Sequence, residues 1–492
     1  MKNFTSRRSF LQTAATITGG TSLFSLTGAT VQGDVAGAND RIRVALVGAG
    51  GRGMHLADEF SKLPNVEVVS IVDADINRAN GGAEQIEKKY QHKPTSLQDA
   101  RKMLEDKSID AVLVATCNHW HSLMAIWACQ AGKDVYVEKP CSQNLYEGRK
   151  LVEAAKKYNR LVQHGTQRRS SDTWAKVAET IKTEKFGKLI AAKVYANRPR
   201  GPLGYKPVTA PPTNIDWDLW LGTAPKQDYH ANLTPYNWHW FWDTGNGEIG
   251  NNGVHFFDLC LWAIGEKHPD SVIAFGTRFV NDKDNSYKDQ AQTPTIQFAL
   301  YDFGGTPLIF ESCNIAGEKG KWNPREEAEF YTEAGVIRGD RIFLKDGKSE
   351  RWEIDFKHVD YGNVSNSANA LNFINAMRNR DSVQLNAPIS KGHYSASVCH
   401  WGNAAYRNAQ DDSLASIRNK MGDNPILNES IDKVLANVND VFKGAVKTED
   451  IPFKVSPKMK IDTEKERFAD NQEANQFLTR IPRKPFDVPD EV

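Results

Sequence analysis

Short apolar runs alternate with helix-like segments through the first third of the chain. Ile42–Val47 is apolar and rich in β-forming residues, and Val66–Val72 is a second such run. Between them lies a helix-like segment at 54–62, and later apolar runs follow at 111–115, 135–137 and 161–163. This alternation predicts an α/β fold with a right-handed, parallel, doubly wound sheet.

A glycine-rich loop, GAGGRG at 48–53, follows the first run directly. It places a G-x-G-x-x-G pattern between a predicted strand and a predicted helix. Gly48 allows the tight turn, Gly50 lets the backbone approach a pyrophosphate, and Gly53 lets the helix pack on the strand. The helix start offers free N–H groups to the phosphates. The sequence therefore predicts a dinucleotide site, with Gly51 and Arg52 among its contacts.

The second apolar run ends in Asp73, twenty residues beyond Gly53. A carboxylate at this place accepts hydrogen bonds from the ribose hydroxyls and repels a 2′-phosphate. NAD is therefore favoured over NADP. Arg78 lies close enough to keep NADP open, and the neighbouring Asp75 counts against it.

Polar residues follow three later runs, where ligands of a doubly wound sheet bind. We expect cofactor contacts from Thr116, Asn118, His121, Glu138, Lys139 and Gln167. Glu138-Lys139-Pro140 has an alternative interpretation as a solvated turn. Its place after a buried strand favours a lysine that points toward the nicotinamide.

Length and charge limit the classes of protein that fit. A chain of 492 residues exceeds a single core and predicts two domains with extensions. Because 62 basic residues nearly balance 61 acidic ones, the charge gives no reason to expect a nucleic-acid or membrane-surface partner. Six cysteines without a C-x-x-C pair favour free thiols over a disulfide framework.

The N-terminus is typical of a twin-arginine export signal. Ser6-Arg7-Arg8-Ser9-Phe10-Leu11 precedes a weakly apolar run at 13–26, and Ala36-Gly37-Ala38 suits a cleavage site. We therefore expect residues 1–38 to direct export to the periplasm or another extracytoplasmic space. Since this pathway carries folded proteins, we also expect the cofactor to be tightly held. Nothing later is apolar enough to span a bilayer.

Longer motifs carry a resemblance to a known family. HSLMAIWACQAGKDVYVEKP at 121–140, FGKL at 186–189, DWDLWLG at 216–222 and DTGNGEIGNNGVH at 243–255 resemble the glucose-fructose oxidoreductase, inositol dehydrogenase and rhizopine-catabolism (Gfo/Idh/MocA) family. The resemblance covers residues 41–410. It implies a Rossmann domain followed by an α/β domain with a large, mostly antiparallel sheet. One face of that sheet lines the substrate site, and the other often forms an interface, which implies a homodimer or homotetramer.

The resemblance also implies a catalytic pair. Lys139 would act beside the nicotinamide, and His255 would serve as acid or base on a sugar, a cyclitol or a sugar derivative. Dehydrogenases of the family typically carry aspartate four residues before this histidine, where this chain has Asn251. Asparagine takes up no proton, so the usual carboxylate relay is replaced or absent. His255 also has an alternative interpretation as a histidine satisfied within its own helix.

Candidate substrate contacts lie in the second domain. An aromatic segment at 217–242 holds five tryptophans, and either a sugar platform that includes Trp238 and His239 or core packing explains it. Arg168 either binds substrate or caps the sheet edge. The resemblance places Tyr394, with His393 beside it, back near the cleft. No ligand set with familiar metal spacing accompanies His119 and His121, so no catalytic metal is expected.

The predicted organisation is a signal peptide at 1–38, a Rossmann domain at 39–165, a substrate domain at 166–410 and a surface-wrapping extension at 411–492. The favoured function is an exported NAD(P)-dependent oxidoreductase acting on a sugar or cyclitol hydroxyl. The alternative is a redox-neutral, NAD-dependent glycosidase that oxidises, eliminates and reduces again. A non-enzymatic binder is a third hypothesis, against which the intact glycine loop and Lys139 argue.

Overall fold

A computed structural model describes residues 41–278, 289–315, 325–352, 367–442, 447 and 451–492. The predicted leader at 1–38 lies outside the described residues. Among those residues, no helix has both the length and the apolar composition that crossing a membrane requires. All six cysteines are free thiols, and five of them are buried.

Six parallel strands form the first sheet, in the spatial order β3-β2-β1-β4-β5-β6. The strands are β1 (Ile42–Val47), β2 (Val66–Val72), β3 (Thr95–Leu97), β4 (Ala111–Val114), β5 (Asp134–Val137) and β6 (Val162–His164). The helices between them are α1 (Gly51–Ser61), α2 (Ile76–Tyr90), α3 (Ala100–Leu104), α4 (Asn118–Gln130) and α5 (Leu145–Lys157). The predicted doubly wound sheet is confirmed. The pattern did not predict β3, because three residues are too few to show alternation.

A second, larger sheet follows, in the order β14-β13-β12-β11-β7-β10-β9-β8-β16-β15. Its strands are β7 (Leu189–Asn197), β8 (Ser271–Thr277), β9 (Ile296–Phe303), β10 (Thr306–Cys313), β11 (Arg325–Thr332), β12 (Gly335–Arg338), β13 (Arg341–Leu344), β14 (Ser349–Arg351), β15 (Gln410–Asp411) and β16 (Lys454–Val455). A hairpin of β17 (Met459–Asp462) and β18 (Arg467–Phe468) joins through β8. Among the described strands of this second sheet, only β7 and β10 pair in parallel, so the predicted mostly antiparallel sheet is confirmed.

Helices cover both faces of this sheet. The remaining helices are α6 (Asp172–Lys182), α7 (Trp217–Leu221), α8 (Val254–Ile264), α9 (Ala368–Asn379), α10 (Ile389–Arg407), α11 (Leu414–Met421), α12 (Pro425–Phe442) and α13 (Gln472–Asn475). Buried residues of α6, α8 and α10 share one apolar core with the inner face. A single π-helical turn, Ile249–Gly253, leads into α8.

The chain beyond residue 410 is part of the core of the fold. In α12, Leu427, Ile431, Val434 and Val438 recur at helical spacing and are buried on the outer face of the sheet. They pack in one cluster with Phe275 and other apolar residues of the central strands. The segment 411–492, which the sequence predicts to wrap the surface, thus also supplies the helix that buries the apolar outer face of this sheet.

The chain crosses back to the first sheet within the predicted substrate domain. Phe373 of α9 packs edge-on against Phe60 and Tyr136, at ring-centroid distances of 6.3 and 6.0 Å. Asn369 donates to the Tyr136 hydroxyl at 3.0 Å. Residues 368–379 therefore belong to the core of the dinucleotide-binding domain, although they lie far from it in sequence.

Candidate functional site

A cavity of about 750 Å³ opens at the carboxyl ends of the parallel strands, within the size range of cofactor and ligand sites. It runs from the glycine loop to the start of α8. Fifteen of the predicted site residues line it: Gly48, Gly50, Gly51, Arg52, Asp73, Thr116, Asn118, His121, Glu138, Lys139, Gln167, Trp238, His239, Asn251 and His255. Residues distant in sequence therefore meet at one place.

The glycine loop has the shape that a pyrophosphate requires. Gly48 has a φ of +96°, and a Cβ there would lie 2.5 Å from the Ala115 carbonyl oxygen. A Cβ on Gly53 would lie only 1.8 Å from the oxygen of Gly48, so the helix packs directly on the loop. The first helical bond of α1 runs from Met54 N to Gly50 O, at 2.9 Å. The amides before it remain available to a phosphate, which fits a dinucleotide.

Asp73 lies at the end of β2 and holds the loop in place. Its carboxylate accepts from Ala49 N at 2.7 Å and from Asp75 N at 2.9 Å. Burial raises the pKa of this carboxyl, although the two amides oppose the shift. Arg78 also lines the cavity, and its side chain pairs with Asp75 at 3.5 Å. The acidic and the basic residue that bear on cofactor choice thus lie at the same end of the cavity.

Replacing Asp73 by asparagine should reduce the preference for NAD over NADP by about tenfold or more. The charge that repels a 2′-phosphate is lost, while the Arg78 guanidinium remains. Calorimetric affinities for both cofactors measure the change. Asp99→Asn is the matched control, since Asp99 also lines the cavity but caps α3 through Arg101 N. Unchanged NADP affinity in the Asp73 variant would contradict this role.

Glu138 anchors the neighbouring wall. Its carboxylate accepts from Arg52 Nε at 2.7 Å and from Gln167 Nε2 at 3.3 Å. Burial works to raise the pKa of Glu138, but the charges of Arg52 and Lys139 hold it below its ordinary value. Three predicted cofactor residues thus bind one another and fix the wall from which Lys139 projects.

His121 fixes the backbone on the other side of Lys139. Its ring nitrogens lie 2.6 Å from the Pro140 oxygen and 3.0 Å from the Thr116 oxygen. A neutral imidazole carries one N–H, so the ring donates to one of these two carbonyl oxygens and lies against the other. Burial lowers the pKa of His121, so it acts here through position and not through charge.

Lys139 bridges the two domains. Its Nζ donates to the Asn251 carbonyl oxygen at 2.7 Å and lies 3.4 Å from Asn251 Oδ1. Burial lowers the pKa of Lys139, although Glu138 and Glu248 oppose the shift. An aspartate at position 251 would hold the ammonium charged, whereas the neutral amide leaves desolvation dominant. Asparagine here therefore makes the lysine a readier proton acceptor.

His255 lies on the first turn of α8 and lines the same cavity. Its Nδ1 is buried and has no hydrogen-bond partner within the described ranges. Burial, followed by the charges of Lys139 and Arg168, lowers the pKa of His255 well below its ordinary value. The ring is neutral and unsatisfied, which argues against a purely structural histidine.

Three predicted residues lie away from the cavity wall. Gly53 is buried beneath the loop. The Arg168 guanidinium lies 4.4 Å from the centre of the Phe256 ring. Tyr394 packs against His268 at a ring-centroid distance of 4.9 Å. The structure therefore does not bring Arg168 or Tyr394 to the cavity lining, because each side chain packs on an aromatic ring of the second domain.

Several lining residues were not predicted. Ile215 and Leu219 come from the segment around α7, Trp120 and Trp127 from α4, and Tyr236 from the aromatic segment. Trp120 and Trp127 are seven residues apart on one helix, and this spacing could have indicated that the two side chains share a face. Nothing local indicated that 212–221 crosses to the other domain.

A buried polar cluster lies outside this cavity. His268 Nε2 and His393 Nε2 lie 2.8 and 3.0 Å from the same oxygen of Glu466, which also pairs with Arg149. The three potential ligand atoms lie within 4.8 Å of one another. Trp401 Nε1 donates to His268 Nδ1 at 3.5 Å, so Nε2 carries the proton. This is the geometry of a hydrogen-bonded ion pair that secures the β17–β18 hairpin.

Replacing Glu466 by glutamine should lower the free energy of unfolding by about 3 kcal/mol at neutral pH. Burial raises the pKa of Glu466, but bonds from His268 and His393 outweigh it and leave the pKa below its ordinary value. The stabilisation is therefore present above the unfolded pKa of about 4.3 and is lost as the pH falls below it.

Denaturant titrations from neutral to acid pH check this, with Glu473→Gln on an exposed position of α13 as control. The difference between wild type and variant should shrink below a pH of about 4. Destabilisation of the wild type by a chelator would instead indicate a metal at the cluster and contradict the ion pair.

Comparison with known families matches both domains. The model described as the oxidoreductase family's NAD-binding Rossmann fold matches residues 42–166, and the model of its C-terminal alpha/beta domain matches residues 202–293. These are the Gfo/Idh/MocA models. The first domain is thus an NAD-binding Rossmann domain.

Curated relatives are similar over about a third of this chain. The myo-inositol 2-dehydrogenase of Thermotoga maritima is 27% identical over 163 residues, which cover 33% of this chain and 47% of the relative. A glycosyl hydrolase family 109 protein of Shewanella putrefaciens is 28% identical over 169 residues, which cover 31% of this chain and 37% of the relative. The chain spans about half the length, or less, of these two relatives.

A solved structure shares the fold over both domains. The WlbA dehydrogenase from Bordetella pertussis, in complex with NADH and UDP-GlcNAcA, superposes with a TM-score of 0.55 at 18% identity. The match covers 75% of this chain and 97% of that chain. At this identity the likeness concerns the fold.

Proposed function

This chain belongs to the Gfo/Idh/MocA oxidoreductase family, and we propose that it oxidises or reduces a hydroxyl or ketone of a sugar, cyclitol or sugar derivative with tightly held NAD. One observation carries the proposal. The Lys139 amine, the unsatisfied His255 ring and the glycine loop line a single cavity. A proton-handling pair thus lies beside a dinucleotide site.

The residues present suit the chemistry of a secondary alcohol. Bound NAD supplies an acceptor or donor of hydride. The hydroxyl proton must leave as the carbonyl forms, and Lys139, with its lowered pKa, accepts it. The neutral His255 ring is available to pass that proton on. Trp238 lines the same cavity and offers an aromatic surface to the apolar face of a sugar ring.

The substrate class is supported by the relatives. The names of the matched dehydrogenases specify inositols, and the superposed structure was solved with a nucleotide sugar. Polyhydroxylated rings are common to both. A cavity with several polar groups and one aromatic wall suits such a ring better than an apolar ligand.

Retention of the cofactor is supported by a strap, residues 212–221, that crosses from the second domain over the end of β2. Ile76 N donates to Asn214 O at 3.0 Å, and Asp216 N donates to Ala74 O at 2.9 Å. Asn214 Nδ2 also donates to Asp75 Oδ1 at 2.6 Å. Because the strap is bonded to the Rossmann domain at several points, a bound dinucleotide cannot leave along this edge without breaking them.

Replacing Asn214 by alanine should speed release of NAD by about tenfold, since one hydrogen bond to a carboxylate is worth roughly 1.5 to 3 kcal/mol. Dilution of the loaded protein into a cofactor trap measures the rate. Asn80→Ala, on an exposed position of α2, is the control. Equal release rates for wild type and the Asn214 variant would show that the strap does not retain the cofactor.

Export in the folded state completes the proposal. The Arg7-Arg8 pair motivates it, and a retained cofactor suits a compartment where free NAD is scarce. Cell fractionation tests it by comparing the location of the unaltered chain with that of a variant in which Arg7 and Arg8 are both replaced by lysine. Cytoplasmic retention of the unaltered chain would overturn it.

A redox-neutral glycosidase is the second candidate. Similarity to glycosyl hydrolase family 109 proteins and the neutral Asn251 in place of a carboxylate favour it. In this scheme oxidation acidifies a neighbouring C–H bond, the glycosidic group is eliminated, and hydride returns.

One experiment separates the two candidates. The purified protein is denatured and assayed for released NAD(H), and intact protein is incubated with free sugars, inositols and p-nitrophenyl glycosides. Stoichiometric reduction of bound NAD without bond cleavage supports the oxidoreductase. Release of nitrophenol without net reduction overturns it in favour of the glycosidase.

A further inference from the structure

We infer that Glu248 is a positioning residue for the proposed proton transfer, whose carboxylate faces Lys139 from the second domain and controls how readily the amine takes up a proton. The inference rests on the proposed function, because the proton concerned is the one that the substrate hydroxyl loses. It adds a residue that lies behind the cavity wall and does not line the cavity.

Glu248 lies directly before the π-helical turn whose Asn251 contacts Lys139. Lys139 Nζ donates to the Asn251 carbonyl oxygen at 2.7 Å and lies 3.4 Å from its Oδ1. Asn252, the next residue, donates from Nδ2 to Glu248 Oε1. Residues three and four apart are neighbours on a helical turn. The Glu248 carboxylate therefore lies beside the residue that Lys139 contacts.

The Glu248 side chain is buried among hydrogen-bond donors, with 1% of its surface exposed. Asn314 Nδ2 donates to Oε2 at 3.2 Å, and Arg200 Nε and Nη2 lie 3.3 and 3.5 Å from the two carboxylate oxygens. With Asn252, these groups present N–H donors, which stabilise the ionised form of a carboxylate. Glu248 thus brings a negative charge into the wall behind Lys139.

Arg200 compensates this charge only in part. Its two bonds to Glu248 are longer than the roughly 2.7–2.9 Å that is usual between charged groups. The guanidinium lies over the Trp240 ring, 5.0 Å from its centre, and the Arg200 side chain is 21% exposed. Water therefore shares in solvating the cation, whereas the carboxylate is the buried end of the pair.

The other groups around Lys139 leave this charge without a rival. Burial keeps five of them neutral, because it lowers the pKa of His121, His164, His239 and His255 and raises the pKa of the Cys399 thiol. Glu138 and Arg52 are charged, but they pair with one another at 2.7 Å. Burial lowers the pKa of Lys139, and Glu248 is second only to Glu138 among the groups that oppose this shift.

Two variants of this ion pair should act in opposite directions. Oxidation of a hydroxyl needs the neutral amine, so its rate falls as the pH falls through the pKa of Lys139. Glu248→Gln removes a charge that favours the ammonium form, so this acid limb moves to lower pH. Arg200→Gln leaves the carboxylate uncompensated, so the limb moves to higher pH. A merely structural contact would not give shifts of opposite sign.

Carbamoylation by cyanate tests the inference without turnover, because only the neutral amine reacts. The full-length protein as purified is labelled across neutral and alkaline pH, and mass spectrometry quantifies the peptide that contains Lys139. The midpoint should fall by about one pH unit in Glu248→Gln and should rise in Arg200→Gln. An unchanged midpoint in Glu248→Gln overturns the inference. If that variant does not fold, the direction of the shift in Arg200→Gln decides.

Single-turnover reduction of bound NAD by a sugar or inositol gives the second readout, a pH profile of the rate. The acid limb should shift in each variant as the cyanate midpoint does. In the double variant Glu248→Gln, Asn251→Asp, a carboxylate returns beside Lys139, and the limb should return to that of the wild type or move above it. Failure of this rescue would show that Glu248 does not act through its charge, and would overturn the inference.

Glu311→Gln is the matched control, because Glu311 is also a buried carboxylate but binds Lys193 and Asn197, at 2.8 and 2.6 Å. It should lower the melting temperature and leave the cyanate midpoint of Lys139 unchanged. A shift equal to that of Glu248→Gln overturns the inference. Failure of every sugar and inositol to reduce NAD overturns the proposed function instead, and the cyanate measurement still reports on Glu248.

Discussion

Replacing Lys139 by methionine will slow single-turnover reduction of bound NAD by about 10² to 10⁴-fold, the usual contribution of a general acid or base. Methionine keeps most of the length of the side chain but has no ammonium group. It removes both the proton acceptor and the bond to the Asn251 carbonyl. Stopped-flow absorbance of the reduced nicotinamide measures the rate once a substrate is identified.

The loss should fall on the rate and not on cofactor content, because the glycine loop and Asp73 are untouched. Lys88→Met, on an exposed position of α2, is the control and should behave as wild type. A Lys139 variant that reduces NAD at the wild-type rate would remove this residue from the reaction and leave His255 as the candidate base.

Replacing Gly53 by alanine will abolish NAD binding and destabilise the Rossmann domain. The added methyl group would lie 1.8 Å from the Gly48 oxygen, and the obstacle is backbone that no side-chain rotation can move. Either α1 separates from the loop or the loop changes shape. Both responses displace the amides that receive the phosphates.

Calorimetric titration with NAD and thermal unfolding measure the two effects. Gly81→Ala is the control. Gly81 lies on the neighbouring helix α2, and a Cβ there would meet nothing within 4 Å. It should leave binding intact and raise stability slightly, because alanine favours a helix by roughly 1 kcal/mol over glycine. Wild-type NAD affinity in the Gly53 variant would show that the loop does not hold the cofactor.

The sequence predicted the parts of the site that local chemistry determines. The close contact of Gly53 with the Gly48 oxygen lies within six residues, so the spacing of the loop could be predicted without the fold. Lys139 and Asp73 end buried strands, and strand ends converge in any doubly wound sheet. These residues meet in the cavity as the pattern indicated.

Contacts between segments that are distant in sequence could not be predicted. Tyr394 follows a residue that belongs to the Glu466 cluster, and only the packing of α10 decides which of the two faces the cleft. The bond of Asn214 to Asp75 joins residues 139 positions apart. Hydrophobic periodicity describes which face of an element is buried, but it does not say what covers that face.

The contacts of Arg483 and Phe486 have a consequence for the order in which the fold forms during synthesis. Arg483 donates to the Gly222 carbonyl at 2.5 Å and pairs with Asp218 at 2.6 Å, at the end of the strap that closes the cofactor cleft. Phe486 packs edge-on against Trp120, in the cavity wall. Because these braces come after every other element of the fold, the ribosome finishes the Rossmann strands long before it makes the residues that secure the cleft. A nascent chain can therefore form the nucleotide fold early, whereas the braced cleft is completed only after residues 483–486 have left the ribosome.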